Sequence, residues 1–137
     1  MKIAIRVDAS NEIGTGHFIR CMTLADALKK RGAAIRFVSR SLPEHLQDLV
    51  RERGHQLCML DAAVGEVSSG TLRHASWLST SQEKDATDTL KVLSGQVWDW
   101  LVVDHYALDV NWERALQHAA HRVFVIDDIA DRNHDCD

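Results

Sequence analysis

The fold is decided by residues 2–31, KIAIRVDASNEIGTGHFIRCMTLADALKKR. Apolar side chains dominate positions 2–7, which is typical of a buried strand. A glycine-rich turn at 11–16 follows, and apolar residues then recur at helical spacing: Phe18, Cys21, Met22, Ala25 and Leu28. Gly32 stands where glycine commonly ends a helix. The stretch therefore predicts a strand, a tight turn and a helix over about 17–31 that packs on a sheet.

The same alternation of strand-like and amphipathic segments continues along the chain. Further strands are predicted at 34–39, 56–60, 98–103 and 122–126. Four strand-to-strand connections separate them, and residues 61–80 form the least patterned one. The economical architecture is α/β: a Rossmann-like open parallel sheet of about five strands, with helices on both faces and right-handed crossovers.

The helix boundaries also have local signals. Ser41 and Glu44 have the spacing of a capping box, and Pro43 lies in the predicted first turn. Either Ser79 or Ser81 is expected to cap a helix over 82–93. Asp109 is expected to cap the next helix, whose apolar face comprises Trp112, Ala115, Leu116 and Ala119.

Length, charge and cysteine content exclude several classes of protein. The 137 residues suffice for one domain, and 16 Lys and Arg against 20 Asp and Glu give a net charge of −4. A nucleic-acid or anionic-membrane partner would favour a basic surface, so neither is expected. No stretch stays apolar over the roughly 18 residues of a membrane span, and the start lacks a signal-peptide core. Three widely spaced cysteines favour reduced thiols, so we expect a cytoplasmic protein.

Polar residues follow three of the predicted strands, where open parallel sheets bind ligands. The first cluster comprises Asp8, Gly14, Thr15, Gly16 and His17; the second is Asp104, His105 and Tyr106; the third is Asp127 and Asp128. Because carboxyl ends of parallel strands share one edge, these clusters are expected to converge there.

The first cluster is the most informative. Gly14 and Gly16 allow a tight turn and a close ligand approach to the backbone. His17 falls in the first helical turn, where exposed N–H groups disfavour an imidazolium and so favour a neutral general base. The alternative is that His17 only makes local hydrogen bonds. The motif lacks the third glycine of a dinucleotide fingerprint, and no cofactor is expected.

The other candidates each have two interpretations. Asp104 and Tyr106 either bind a polar ligand or cap the strand end. Asp127 and Asp128 either hold a metal ion or cap the next turn, and we favour the turn cap. Trp77 either stacks on a sugar ring or packs in the core. Residues 134–136 contain possible metal ligands, but we expect a solvated tail there. No metal is therefore expected.

Residues 6–25 contain the block Gly14-Thr15-Gly16-His17-x-x-Arg20-Cys21. This block resembles the start of the UDP-2,4-diacetamido-2,4,6-trideoxy-β-L-altropyranose hydrolases of the pseudaminic acid pathway. Three later stretches resemble the same family in the same order: Trp77-Leu78 with Ser81-Gln82 and Asp85-Ala86; Val103 to Tyr106; and Asp127-Asp128 with Arg132, His134, Asp135 and Cys136.

The resemblance implies that the chain is the amino-terminal half of a GT-B type fold, with the site in the cleft between two domains. It implies metal-independent hydrolysis at C1 of a UDP-sugar, with inversion and release of UDP. The position of His17 is the family's proposed base. The sugar would be bound by Asp8, Gly14, Thr15, Gly16, Asp104 and Tyr106.

The chain departs from the family in two places. Residues 1–137 form a single domain, and the carboxy-terminal nucleotide-binding domain that makes most UDP contacts is absent, so we expect little or no turnover by this chain alone. Ser79 stands where the family has glycine, so no role is carried onto that loop. Two alternatives remain: a GT-B glycosyltransferase, and a non-catalytic module that binds nucleotide-sugar.

Overall fold

The computed structural model describes residues 1–62 and 72–137, and its centre is one parallel sheet. The strands are β1 (Lys2–Val7), β2 (Ala34–Ser39), β3 (Gln56–Met59), β4 (Trp98–Asp104) and β5 (Ala120–Val125). They lie in the order β3-β2-β1-β4-β5, and every neighbouring pair is parallel. The predicted Rossmann-like open sheet is confirmed.

Helices cover both faces of this sheet. They are α1 (Gly16–Lys30), α2 (Glu44–Glu52), α3 (Gln82–Leu93) and α4 (Val110–Leu116), with a short 3₁₀ turn at Ala75–Leu78. Side chains of β1 alternate between faces, so Ile3 and Ile5 join the core under α1 and α2, whereas Ala4 joins the core under α3 and α4. The predicted two-sided arrangement is therefore confirmed.

The start of α2 differs from the prediction. Pro43 is the N-cap residue and no side chain caps this helix. Ser41 Oγ instead donates a hydrogen bond to the backbone oxygen of Ala9, at 3.3 Å. The capping-box prediction is wrong because the segment after β1 binds Ser41. Ser81 and Asp109 do cap α3 and α4, through the backbone N–H groups of Lys84 and Asn111.

The carboxyl-terminal segment is solvated in part but is held by fixed contacts. Asp135 and Cys136 are exposed, as predicted. His134 instead lies between two carboxylates, with Nδ1 2.5 Å from Oε1 of Glu113 and Nε2 2.9 Å from Oδ2 of Asp127. The backbone N–H of Asp137 donates to the backbone oxygen of Val123 at 2.9 Å. The prediction of a tail without a scaffold is wrong because the side chain of Glu113 is fully buried, and a buried carboxylate requires partners that this segment supplies.

The order of the strands creates a crevice between β1 and β4. The chain builds β1, β2 and β3 outward in one direction and then crosses to β4 on the other side of β1. Val7 and Asp104 are paired at the carboxyl ends of β1 and β4. Ligands of open α/β sheets bind at such a reversal. Across residues 1–62 and 72–137, no helix is both long and apolar enough to cross a bilayer.

Candidate active site

The turn between β1 and α1 leaves its backbone accessible. Gly14 has φ +79°, a conformation that favours glycine, and its N–H donates to the backbone oxygen of Ser10 at 2.7 Å. Thr15 is the N-cap residue of α1, and its side chain makes no capping hydrogen bond. A Cβ atom placed at Gly14 or Gly16 would meet no atom of the described chain within 4 Å. A ligand can therefore approach the main chain here.

His17 is bonded to the carboxylate at the end of β4. Its Nδ1 lies 2.6 Å from Oδ1 of Asp104, whose side chain is fully buried, while the His17 side chain is 12% exposed. An ionised carboxylate only accepts hydrogen bonds, so we assign the hydrogen to Nδ1. That tautomer leaves Nε2 as the acceptor of the ring. The structure thus joins two predicted site residues that are far apart in sequence.

Arg20 shares the same carboxylate. Its Nε and Nη2 donate to the two oxygens of Asp104 at 2.5 and 2.6 Å, and its Nη1 donates to Asp128 at 3.0 Å. Burial alone would raise the pKa of Asp104, but hydrogen bonds from Arg20 and His17 outweigh burial and lower this pKa. Asp104 is therefore ionised at neutral pH. The sequence block that contains Arg20 indicated no role for this residue.

Aromatic rings form one wall beside His17. The Tyr106 ring lies edge-on to the imidazole with centroids 4.5 Å apart, and the Trp77 ring lies 6.3 Å away. Trp77 and Tyr106 stack on each other at 5.8 Å and 20°. The Tyr106 hydroxyl donates to Asp128. Trp77, which the sequence left between a core and a ligand role, is thus placed beside the candidate base.

The loop that carries Trp77 keeps a conformation suited to glycine. Ser79 has φ +61°, in the left-handed region that L-residues rarely adopt. The turn after Leu78 therefore has the backbone shape that glycine would favour, although serine occupies it. No contact of Ser79 with His17 is found in the described chain.

The side chains around His17 pack closely. The gap lined by Asp8, Ile13, His17, Trp77, Asp104, His105 and Tyr106 has no room for a water molecule. On its other side Tyr106 faces a groove of about 530 Å³, lined also by Leu72, Arg73, His74, Ile129 and Asp131. The His17 side chain is 12% exposed, so its ring keeps a small surface that solvent can reach.

Asp8 lies beneath the gap beside His17, and its contacts are with protein. It is 1% exposed and accepts hydrogen bonds from Arg6, from His105 Nε2 at 2.9 Å, and from the backbone N–H of Arg40 at 2.7 Å. Burial would raise its pKa, but the charge of Arg6 and the bond to His105 lower that pKa. Asp8 thus supports the site from below, and its direct contact with a substrate stays a prediction.

A buried ionic network continues from Asp8 to α3. Arg6, fully buried, donates to Asp85 at 3.1 and 2.7 Å, and Asp85 also accepts from Arg40 Nε at 3.1 Å and from the Trp112 indole at 3.0 Å. Sequence reasoning missed this network. The available signal was an arginine within an otherwise apolar strand, since a buried charge requires a partner.

The paired aspartates after β5 act separately. Asp127 accepts from the backbone N–H groups of Ile129 and Ala130 at 3.1 Å, which is the turn-capping role that we favoured. Asp128 instead binds Arg20 and Tyr106. Within residues 1–62 and 72–137, no three His, Cys, Asp or Glu side chains are grouped to hold a metal ion.

No protein-family model, curated protein or solved structure matches this chain. The chemistry of the site is therefore argued from its own residues. Their arrangement is a carboxylate-bound imidazole whose second nitrogen has no partner among residues 1–62 and 72–137, an arginine that shares the carboxylate, an aromatic wall and an accessible glycine turn.

Proposed function

We propose that this chain supplies the catalytic half of an enzyme that hydrolyses a UDP-linked diacetamido-trideoxy sugar at C1, with His17 as the general base. The observation that carries the proposal is the bond from His17 Nδ1 to buried Asp104, which leaves Nε2 as the acceptor of a partly exposed ring. The substrate class comes from the resemblance of the Gly14 to Cys21 block.

The geometry supports activation of water. A carboxylate that holds Nδ1–H fixes the tautomer and the plane of the ring, so Nε2 can accept a proton from a water molecule. The water oxygen then bonds to C1 on the face opposite the nucleotide, and the C1–oxygen bond breaks. UDP leaves with that electron pair, and inversion at C1 follows from attack on the opposite face.

The surrounding residues support binding of a sugar with a charged leaving group. Gly14 and Gly16 leave space beside the main chain at the start of α1, and the backbone N–H groups of a helix start favour anions. Trp77 and Tyr106 offer aromatic faces and edges to the apolar parts of a deoxy sugar. The sheet is compatible with the amino-terminal half of a GT-B fold, whose second domain would make most UDP contacts.

The test is release of UDP from the UDP-sugar, by this chain alone and by this chain joined to the downstream nucleotide-binding domain. We expect little release by the chain alone and restored release by the two-domain form. His17→Ala should lower the restored rate by about 10²- to 10⁴-fold, because one general base contributes about that factor. His45→Ala, an exposed histidine on α2, is the matched control and should leave the rate unchanged.

Other outcomes would support the alternatives. Release of UDP that requires an added acceptor hydroxyl would indicate a glycosyltransferase. Binding of the nucleotide-sugar without release by either form would indicate a non-catalytic module. An unchanged rate in His17→Ala would remove this residue from the mechanism.

A further inference from the structure

We propose that Arg20 is a positioning residue that keeps the His17–Asp104 pair in the form that can accept a proton. The inference rests on the proposed role of His17 as a base. Arg20 touches no reacting atom in this scheme; it acts through the carboxylate that orients the imidazole.

The contacts close a ring around the base. His17 binds Asp104, Asp104 binds Arg20, and Arg20 binds Asp128 at 3.0 Å. Asp128 accepts from the hydroxyl of Tyr106, and the Tyr106 ring lies against His17 again. The ring joins residues from α1, the end of β4 and the segment after β5. Arg20 is its central member, since three of its nitrogen atoms are used.

The charges explain why an arginine is needed. A carboxylate 2.6 Å from an imidazole favours the imidazolium, which has no free acceptor. Arg20 offsets this effect, because it binds both oxygens of Asp104 and so shares the negative charge. Its Nη2 also lies 3.1 Å from His17 Nδ1, where a positive charge opposes protonation of the ring.

Within the described residues, the other charged or titratable groups around His17 include two bonded pairs and His74. Asp8 and His105 line the same gap and bind each other at 2.9 Å. Tyr106 and Asp128 bind each other, and His74 contacts the rings of Trp77 and Tyr106. On α1, Arg20 supplies the cation that contacts His17 directly.

The test compares the pH at which the His17 ring titrates, followed by NMR on the chain itself, with and without substitution of Arg20. Arg20→Gln should raise this pH by about one unit, a tenfold change in proton affinity, because Asp104 then presents its full charge. Arg20→Lys keeps a cation and should restore most of the difference. Arg114→Gln removes an exposed arginine paired with Asp135 and should change nothing.

A second variant keeps Arg20 and tests the opposite direction. Asp128 is 57% exposed, so Asp128→Asn should leave the fold intact even where Arg20→Gln does not. Without the negative charge of Asp128, the positive charge of Arg20 is less neutralised and opposes protonation of His17 more strongly. The His17 ring should then titrate at lower pH. In the two-domain form, the acidic limb of the rate profile for UDP release should follow the NMR shifts in each variant.

The outcomes separate this inference from the proposed function. An unchanged His17 titration in Arg20→Gln, or in Asp128→Asn where the first variant does not fold, would overturn the role of Arg20 whether or not UDP is released. Shifted titrations without UDP release by any form would leave the role of Arg20 intact and overturn the hydrolase proposal.

Discussion

Two sets of the same three residue types meet at the edge of this sheet. The sealed set comprises Arg6, Asp8 and His105; the open set comprises Arg20, Asp104 and His17. In each set an aspartate at the end of a strand binds both an arginine and a histidine. Each set joins residues from both strand ends. Asp8, just after β1, binds His105, which follows β4; Asp104, at the end of β4, binds His17, which follows β1.

The difference lies in the second nitrogen of each imidazole. In the sealed set His105 is 4% exposed, Nε2 binds Asp8, and Nδ1 accepts from the backbone N–H of Ala107 at 3.1 Å. In the open set His17 gives Nδ1 to Asp104, and Nε2 has no hydrogen-bond partner in the described part of the chain. Residue type alone therefore does not identify a base; what matters is whether an acceptor remains after the fold is satisfied.

The sealed set, with Asp85 as a further partner of its Arg6, should be needed for stability far more than the open one. Asp85→Ala removes the carboxylate that binds Arg6, Arg40 and Trp112, and leaves two buried guanidinium groups short of charge. We expect a loss of about 3–5 kcal/mol in the free energy of unfolding, measured with urea. Asp48→Ala, at an exposed pair with Arg51, should cost under about 0.5 kcal/mol. A loss for Asp85→Ala as small as this control would mean that the network contributes little.

His105 and His17 allow a direct comparison of the two sets, with smaller expected losses in the free energy of unfolding. His105→Ala should lower the free energy of unfolding by about 2–4 kcal/mol, since it opens a cavity and removes one of the hydrogen bonds that Asp8 accepts. His17→Ala should cost about 1 kcal/mol or less, because the ring is partly exposed and Asp104 keeps both hydrogen bonds from Arg20. Thermal or urea unfolding of both variants checks the order; equal losses would refute the distinction between the sets.

A third histidine, His134, extends the comparison to the pH dependence of stability. Burial lowers the pKa of His134, but the hydrogen bonds that the ring donates to Glu113 and Asp127 outweigh burial and raise this pKa above the ordinary 6.5. The stabilisation is therefore complete below pH 6.5 and is lost as the pH rises through the folded pKa. We expect urea midpoints to fall modestly above neutral pH, and to fall less in His134→Gln. An identical pH dependence in both proteins would show that the contact is not coupled to folding.

The sequence was sufficient for most of the fold because local patterns set it. The bounds of β2 and α3 agree with the apolar periodicity, and the crossing from β3 to β4 brings Asp104 and Tyr106 beside His17 as the shared edge requires. The prediction that Ser41 caps α2 was wrong because another acceptor competes for its hydroxyl. Ser41 fits the sequence of a helix start, but it donates to the backbone oxygen of Ala9, just after β1.

The remainder of the site depends on contacts that no local pattern reports. Arg6 and Asp85 lie 79 residues apart, and Arg20 and Asp104 lie 84 apart. One signal was available: Arg20 follows His17 by three positions, which places both on the same side of α1. No sequence signal singled out Glu113, which is buried and accepts a hydrogen bond from the backbone N–H of Asp135.

The pairing of Val7 with Asp104 fixes the register of β4 against β1, and with it the positions of the side chains at this edge of the sheet. Side chains along a strand alternate between faces, so sliding β4 by a single position against β1 would send Asp104 toward α3 and α4 and bring Val103 to the mouth of the crevice. Insertions in surface loops such as the one around Gly95 can lengthen the chain harmlessly. One inserted residue between Trp98 and Asp104 would instead exchange the two faces and separate His17 from its carboxylate, while the order of the strands stayed the same.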